Sequence, residues 1–195
     1  LWGMSLGSTK VGALNVQGPF GHYPLAGVLD VPVTASIINP PQNIPNLVTT
    51  TSVTRNISII VPPIYEANIV DKGPFDVPLG EMTSVPLLLE NTGNEVTSYR
   101  LSVIDDLPDG WVTSINTLTG NSDVIADLSP DVSDAPEEGN SHLRDFNLEV
   151  TTDPLADAYS IQDVNIKVED SSTGLLINII PVSIRVGPYV NASLS

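Results

Sequence analysis

The chain has 195 residues, 41% of them hydrophobic, and a mean hydropathy of +0.14; such a composition can bury a core and excludes a disordered polymer. A net charge of −16 with only three Lys and four Arg excludes the basic patch that nucleic acid demands, and no run of about 18 apolar residues exists to span a bilayer. The absence of cysteine removes disulfides, thiolate nucleophiles and thiolate metal sites together.

The opening Leu1-Trp2-Gly3 carries neither an initiator Met nor a basic, apolar leader, which predicts a processed or excised product and is compatible with secretion. Gly3-Met4-Ser5-Leu6-Gly7 matches G-x-S-x-G, but a nucleophile elbow needs a strand before its serine, and two residues leave no room for one. Residues 1–65 hold one acid, Asp30, against Lys10 and Arg55, together with eight prolines. This stretch ends like a domain at about half the length of the unit that follows. It is expected to be a partial or strand-complemented β-domain whose edges and core need cover from elsewhere.

Residues 66–195 hold 22 acids against five bases, the mark of a solvated surface in a salty or cation-rich medium. No stretch sustains a 3.6-residue apolar period, whereas period-two alternation recurs. Val85, Leu87 and Leu89 share one face, and Tyr99, Leu101 and Val103 share another, opposite Arg100 and Ser102. Between them Asn91-Thr92-Gly93-Asn94 offers residues that tolerate positive φ, so the two strands are expected to pair as a hairpin. Further strands are expected at 143–151, 158–168 and 175–186, the last interrupted by Pro181 at a sheet edge or a switch between sheets. Short strands at this spacing, with no helices between them, form an antiparallel sandwich.

The sequence also repeats. "ISIIVPPIYEANIV" at 57–70 lies over "VSIRVGPYVNASLS" at 182–195 without a gap, each a final strand, a proline hinge and a new strand, 125 residues apart. In the second copy Val190, Ala192 and Leu194 face one way and Asn191, Ser193 and Ser195 the other. Residues 188–195 are therefore expected to be an assembly strand donated to a neighbouring domain.

"PLGEMTSVPLLLENTGNEVTSYRLSVIDDLPDGWVTSI" and "FNLEVTTDPLADAYSIQDVNIKV" resemble the bacterial and archaeal immunoglobulin-like modules of the NPCBM-associated and cell-adhesion-related (CARDB) type. The matching features are Gly80 before a strand, the Asn91–Gly93 turn, Tyr99, the Leu107–Trp111 corner and the Pro154–Ile161 corner. The resemblance covers about residues 66–187. It implies an immunoglobulin-like antiparallel β-sandwich there, preceded by the partial domain of 1–65, and says little about function because such modules are appended to enzymes and surface proteins alike. Within the corner, Trp111 is expected to plug the end of the sandwich.

Side chains that could carry chemistry are few. His22 and His142 lie far apart with no H-x-x-x-H spacing, so neither zinc binding nor a His-activated nucleophile is supported. Asp105, Asp106, Asp109, Asp131 and Asp134, with Glu137 and Glu138, are candidate calcium ligands in flexible loops without EF-hand spacing; otherwise no cofactor is expected. Asn56 and Asn191 head the sequons Asn-Ile-Ser and Asn-Ala-Ser, in numbers that chance alone would produce. The expected function is a non-catalytic extracellular structural or adhesive module that assembles with copies of itself into a surface layer or filament. The alternative is an accessory spacer or carbohydrate-binding domain of a secreted glycosidase or peptidase, which needs an exposed aromatic platform that two Trp, five Tyr and three Phe scarcely supply.

Overall fold

The computed structural model describes residues 13–15, 23–36, 52–104, 106–118, 123–131 and 142–187. All regular structure among them is β. A hairpin of β1 (Gly27–Ser36) and β2 (Ser52–Val61) precedes nine strands: β3 (Ala67–Ile69), β4 (Phe75–Val77), β5 (Met82–Asn91), β6 (Thr97–Val103), β7 (Val112–Asn116), β8 (Val124–Leu128), β9 (Leu143–Thr151), β10 (Ile161–Asp170) and β11 (Leu176–Val186). The nine form two sheets, ordered β3-β5-β9-β7 and β4-β11-β10-β6-β8. Every pairing is antiparallel except that of β4 with β11, which is parallel.

The period-two pattern explains why these segments face each other. Val85, Leu87, Leu89, Phe146, Leu148 and Val150 project inward from one sheet, against Tyr99, Leu101, Val164, Ile166, Val168 and Val182 from the other, all essentially solvent-free. Tyr99 places its phenol at the core's margin, where the hydroxyl donates to the Glu66 carbonyl at 3.0 Å. Burial pushes that phenol's pKa well up, so it stays a protonated donor.

The expected β5–β6 hairpin does not form. β5 pairs with β3 and β9, while β6 pairs with β10 and β8, so residues 92–96 carry the chain from one sheet to the other. A hairpin would set both apolar faces side by side in one sheet; crossing over lets each cover the other from opposite sides of the core. The Asn and Thr of this turn take no positive φ.

Prolines sit in long strands where the neighbour has run out. Asn165 turns its carbonyl toward the β6 side, accepting from Ile104 N–H at 2.9 Å, so Pro181 opposite it points its nitrogen away from β10. On that side β4 reaches only Ile184–Val186. The missing donor of Pro181 therefore leaves no ladder bond broken, although β11 is flanked by β4 and β10 rather than lying at the sheet edge.

The β1–β2 hairpin is a second copy of β10–β11. Asp30 pairs with Ser58 and Val31 with Ile57, as Asp163 pairs with Ser183 and Val164 with Val182. The same cross-strand bond recurs in both: the Ser58 hydroxyl donates to Asp30 at 2.5 Å, and the Ser183 hydroxyl to Asp163 at 2.6 Å. Residues that match the core positions Val164, Ile166, Val168, Val182, Ile184 and Val186 are Val31, Val33, Ala35, Ile57, Ile59 and Val61. The β10–β11 set is fully buried; in the first hairpin Val33, Ala35 and Ile57 are exposed and Val31, Ile59 and Val61 half-buried.

Candidate functional site

Two buried asparagines organise the end of the sandwich nearest the hairpin. Asn91, at the end of β5, donates its side-chain amide to the Glu95 and Leu128 carbonyls (2.8 and 2.9 Å) and accepts from Gly93 N–H at 3.0 Å. Its backbone N–H donates to the His142 carbonyl at 2.9 Å, and its carbonyl accepts from Asp131 N–H at 3.3 Å. One residue thus ties the ends of β5 and β8 and the start of β9 across both sheets.

Asn94 does the same for the hairpin. Its amide donates to the Pro24 and Pro62 carbonyls (2.9 and 3.1 Å), and its side-chain oxygen accepts from Ile64 N–H at 2.6 Å. Its backbone N–H donates to the Ile64 carbonyl, and its carbonyl accepts from Ala26 N–H, each at 3.0 Å. The chain entering β1 and the chain leaving β2 therefore meet on one side chain that is 1% exposed, with both its amide nitrogen and its oxygen hydrogen-bonded. Between the two asparagines Gly93 passes so close to the Ile64 carbonyl that no Cβ fits.

The Asn91 frame also sets out a group of ligating side chains. Glu90, Asp131 and His142, all half-buried, each offer an atom within 4.8 Å of the others. Glu90 pairs with Leu143, which brings His142 beside it, and the Asp131 backbone is held to Asn91. An imidazole nitrogen with two carboxylate oxygens is a donor set for a divalent transition metal or zinc. Two of the three, Glu90 and His142, escape a sequence reading because only the β5–β9 register makes them neighbours.

Of the acids expected as calcium ligands, Asp131 lies with Glu90 and His142; Asp106 accepts from the Asn165 side-chain amide at 2.7 Å, and Asp109 is exposed in the turn before Trp111. Asp105, Asp134, Glu137 and Glu138 lie outside the described residues, as do His22, Asn191, the Gly3–Gly7 match and the strand residues Val190, Ala192 and Leu194. Asn56 stands exposed on β2, on the hairpin's polar face beside Thr54 and Ser58. Trp111 is half-buried and packs against the core cluster, and it also lines an open cleft of about 450 Å³ with Leu107, Ile115, Ser102 and Asp123.

No protein-family model matches the chain, and no curated protein matches it. Among solved structures the chain is similar to domains 4 and 5 of the S-layer protein SbsC, at 15% identity and a TM-score of 0.37, over 70% of this chain and 59% of that one. It is similar to the sialic acid binding region of the Streptococcus sanguinis SK1 adhesin bound to 3'sLn, at 12% identity and a TM-score of 0.39, over 68% of this chain and 32% of that one. A larger part of SbsC, residues 31–844, gives 16% identity and a TM-score of 0.35, over 71% of this chain and 16% of that one. The chain therefore spans less than two thirds of each. Among the described residues no helix is long and apolar enough to cross a membrane.

Proposed function

We propose that the chain is a non-catalytic, extracellular structural or adhesive module, acting in series with others of its kind in a surface layer or filament. The observation that carries this reading is the β1–β2 hairpin. It reproduces the closing strand pair of the sandwich in register and in its Ser–Asp bond, and its core-side face, apolar apart from Arg55, is only partly covered. An apolar sheet face of this kind is covered in the working state, and the cover that fits it is the rest of an immunoglobulin-like sandwich supplied by a neighbouring subunit. A head-to-tail contact between one subunit and the next does not close on itself, so it propagates as a fibre or sheet.

The fixed joint at Asn94 supports the same reading, because it holds the hairpin at one attitude to the sandwich. The accessory-domain alternative is less well supported: Trp111, the aromatic nearest an open cleft, is committed in part to the core. The test is a matched pair of substitutions at equivalent positions. Ile57→Asp on the hairpin should leave the sandwich folded by circular dichroism yet abolish the polymers seen by electron microscopy and sedimentation, whereas Val182→Asp should unfold the sandwich. A native chain that stays strictly monomeric at high concentration and moderate salt would sink the proposal.

A further inference from the structure

The geometry points to a divalent metal site of the zinc class at Glu90, Asp131 and His142, bridging the two sheets at the hairpin end of the sandwich. The three side chains come from different segments: the penultimate residue of β5, the chain just beyond β8, and the residue just before β9. β5 and β9 belong to one sheet and β8 to the other, so an ion held here would clip the layers together.

The three backbones are already positioned. Asn91, fully buried, receives the Asp131 N–H, donates to the His142 carbonyl and directly follows Glu90. Metal binding to a frame set in advance loses little conformational entropy, unlike binding by side chains from a loose loop.

The donor chemistry selects the ion. Calcium takes six to eight oxygens and rarely an imidazole. One nitrogen and two carboxylate oxygens instead suit zinc or a neighbouring divalent transition ion, with a fourth position left for water. Tetrahedral zinc with bonds of about 2.0–2.1 Å sets its ligand atoms roughly 3.4 Å apart. Atoms that lie within 4.8 Å need close only by side-chain rotation. A cation held here would also sit between two carboxylates and lower their mutual repulsion.

The competing arrangement is a direct contact of His142 with the two acids and no ion at all, and titration of metal separates the two. Chelator-treated protein would be mixed with Zn2+, Ca2+ or Mg2+ at pH 7.5 and followed by calorimetry and thermal melting, with Co2+ as a visible-absorption probe of imidazole ligation. The expected result is one Zn2+ per chain and a raised melting temperature, with no comparable shift from Ca2+ or Mg2+. Affinity should fall at least tenfold in His142→Ala and in the near-isosteric Asp131→Asn. Failure to bind Zn2+, binding unaltered in both variants, or tighter Ca2+ than Zn2+ binding would each overturn the site. Because Asp131→Asn keeps the side-chain volume, loss of binding there with an unchanged metal-free melting point separates ligation from folding. The inference stands apart from the proposed assembly, since a monomer would bind the ion equally.

Discussion

Asn91 and Asn94 differ by three positions and tie together different things, the first the two sheets and the second the hairpin to the sandwich. Both act as donors and acceptors in a nearly dry setting, so truncation strands several backbone groups at once. Asn94→Ala should cost roughly 1–3 kcal/mol at the joint and speed proteolysis at 62–66, while amide protection in the β9–β10 core stays as it was; hydrogen exchange read by mass spectrometry checks both halves. A sequence reading finds these residues and misreads them: Asn-Thr-Gly-Asn has turn chemistry, and nothing local reveals that the partners lie 30 and 70 positions away. Asp170 is a case where local chemistry suffices. Its Oδ1 accepts from the hydroxyl and N–H of both Ser172 and Thr173, and these bonds, the Ser172 hydroxyl foremost, lower its pKa to about 2. With a folded value below the unfolded one near 3.9, the stabilisation is complete above about pH 4 and disappears as pH falls toward 2. Asp170→Asn should flatten the acid limb of the stability profile in that window, measurable by urea melts at pH 4, 3 and 2.

At the level of strands, alternation located almost everything and pairing almost nothing. The segments 143–151, 158–168 and 175–186 correspond to β9, β10 and β11, because a half-buried strand writes its two faces directly into the sequence. Whether two such strands lie side by side or across the core depends on what each covers, and residues 92–96 make the crossing that their turn composition disguises. β7 and β8 are less legible, being five residues each with mixed burial. The internal repeat was visible in β2 against β11, but its other half, β1 against β10, rests on Asp30-Val31 and Asp163-Val164 and emerges only once the registers are compared. The Glu90–Asp131–His142 group was illegible for the same reason: it is a property of register rather than of spacing.

Over the whole chain, charge is unevenly distributed. Residues 66–195, which build the sandwich, hold 22 acids, whereas the nearly neutral stretch before them carries the hairpin. Subunits with a net charge of −16 repel one another, and the repulsion reaches about 30 Å at 0.01 M salt but only about 8 Å at 0.15 M. Assembly driven by the apolar face should therefore be suppressed at low ionic strength and promoted as salt rises, the reverse of a contact made by ion pairs; light scattering across a salt series distinguishes them.

The parallel contact between β4 and β11 bears on what happens when such a subunit is stretched. With β3 drawn off, the leading end is still held to β11 by Phe75–Val77 beside Ile184–Val186, by Ser183 N–H on the Lys72 carbonyl and Gly187 N–H on the Val77 carbonyl, and by the Arg185 guanidinium forked on Asp76. Because the two strands run the same way and tension leaves through opposite ends, the load slides one along the other and strains all these bonds together. Under the proposed assembly such a pull would shear this short patch rather than peel it.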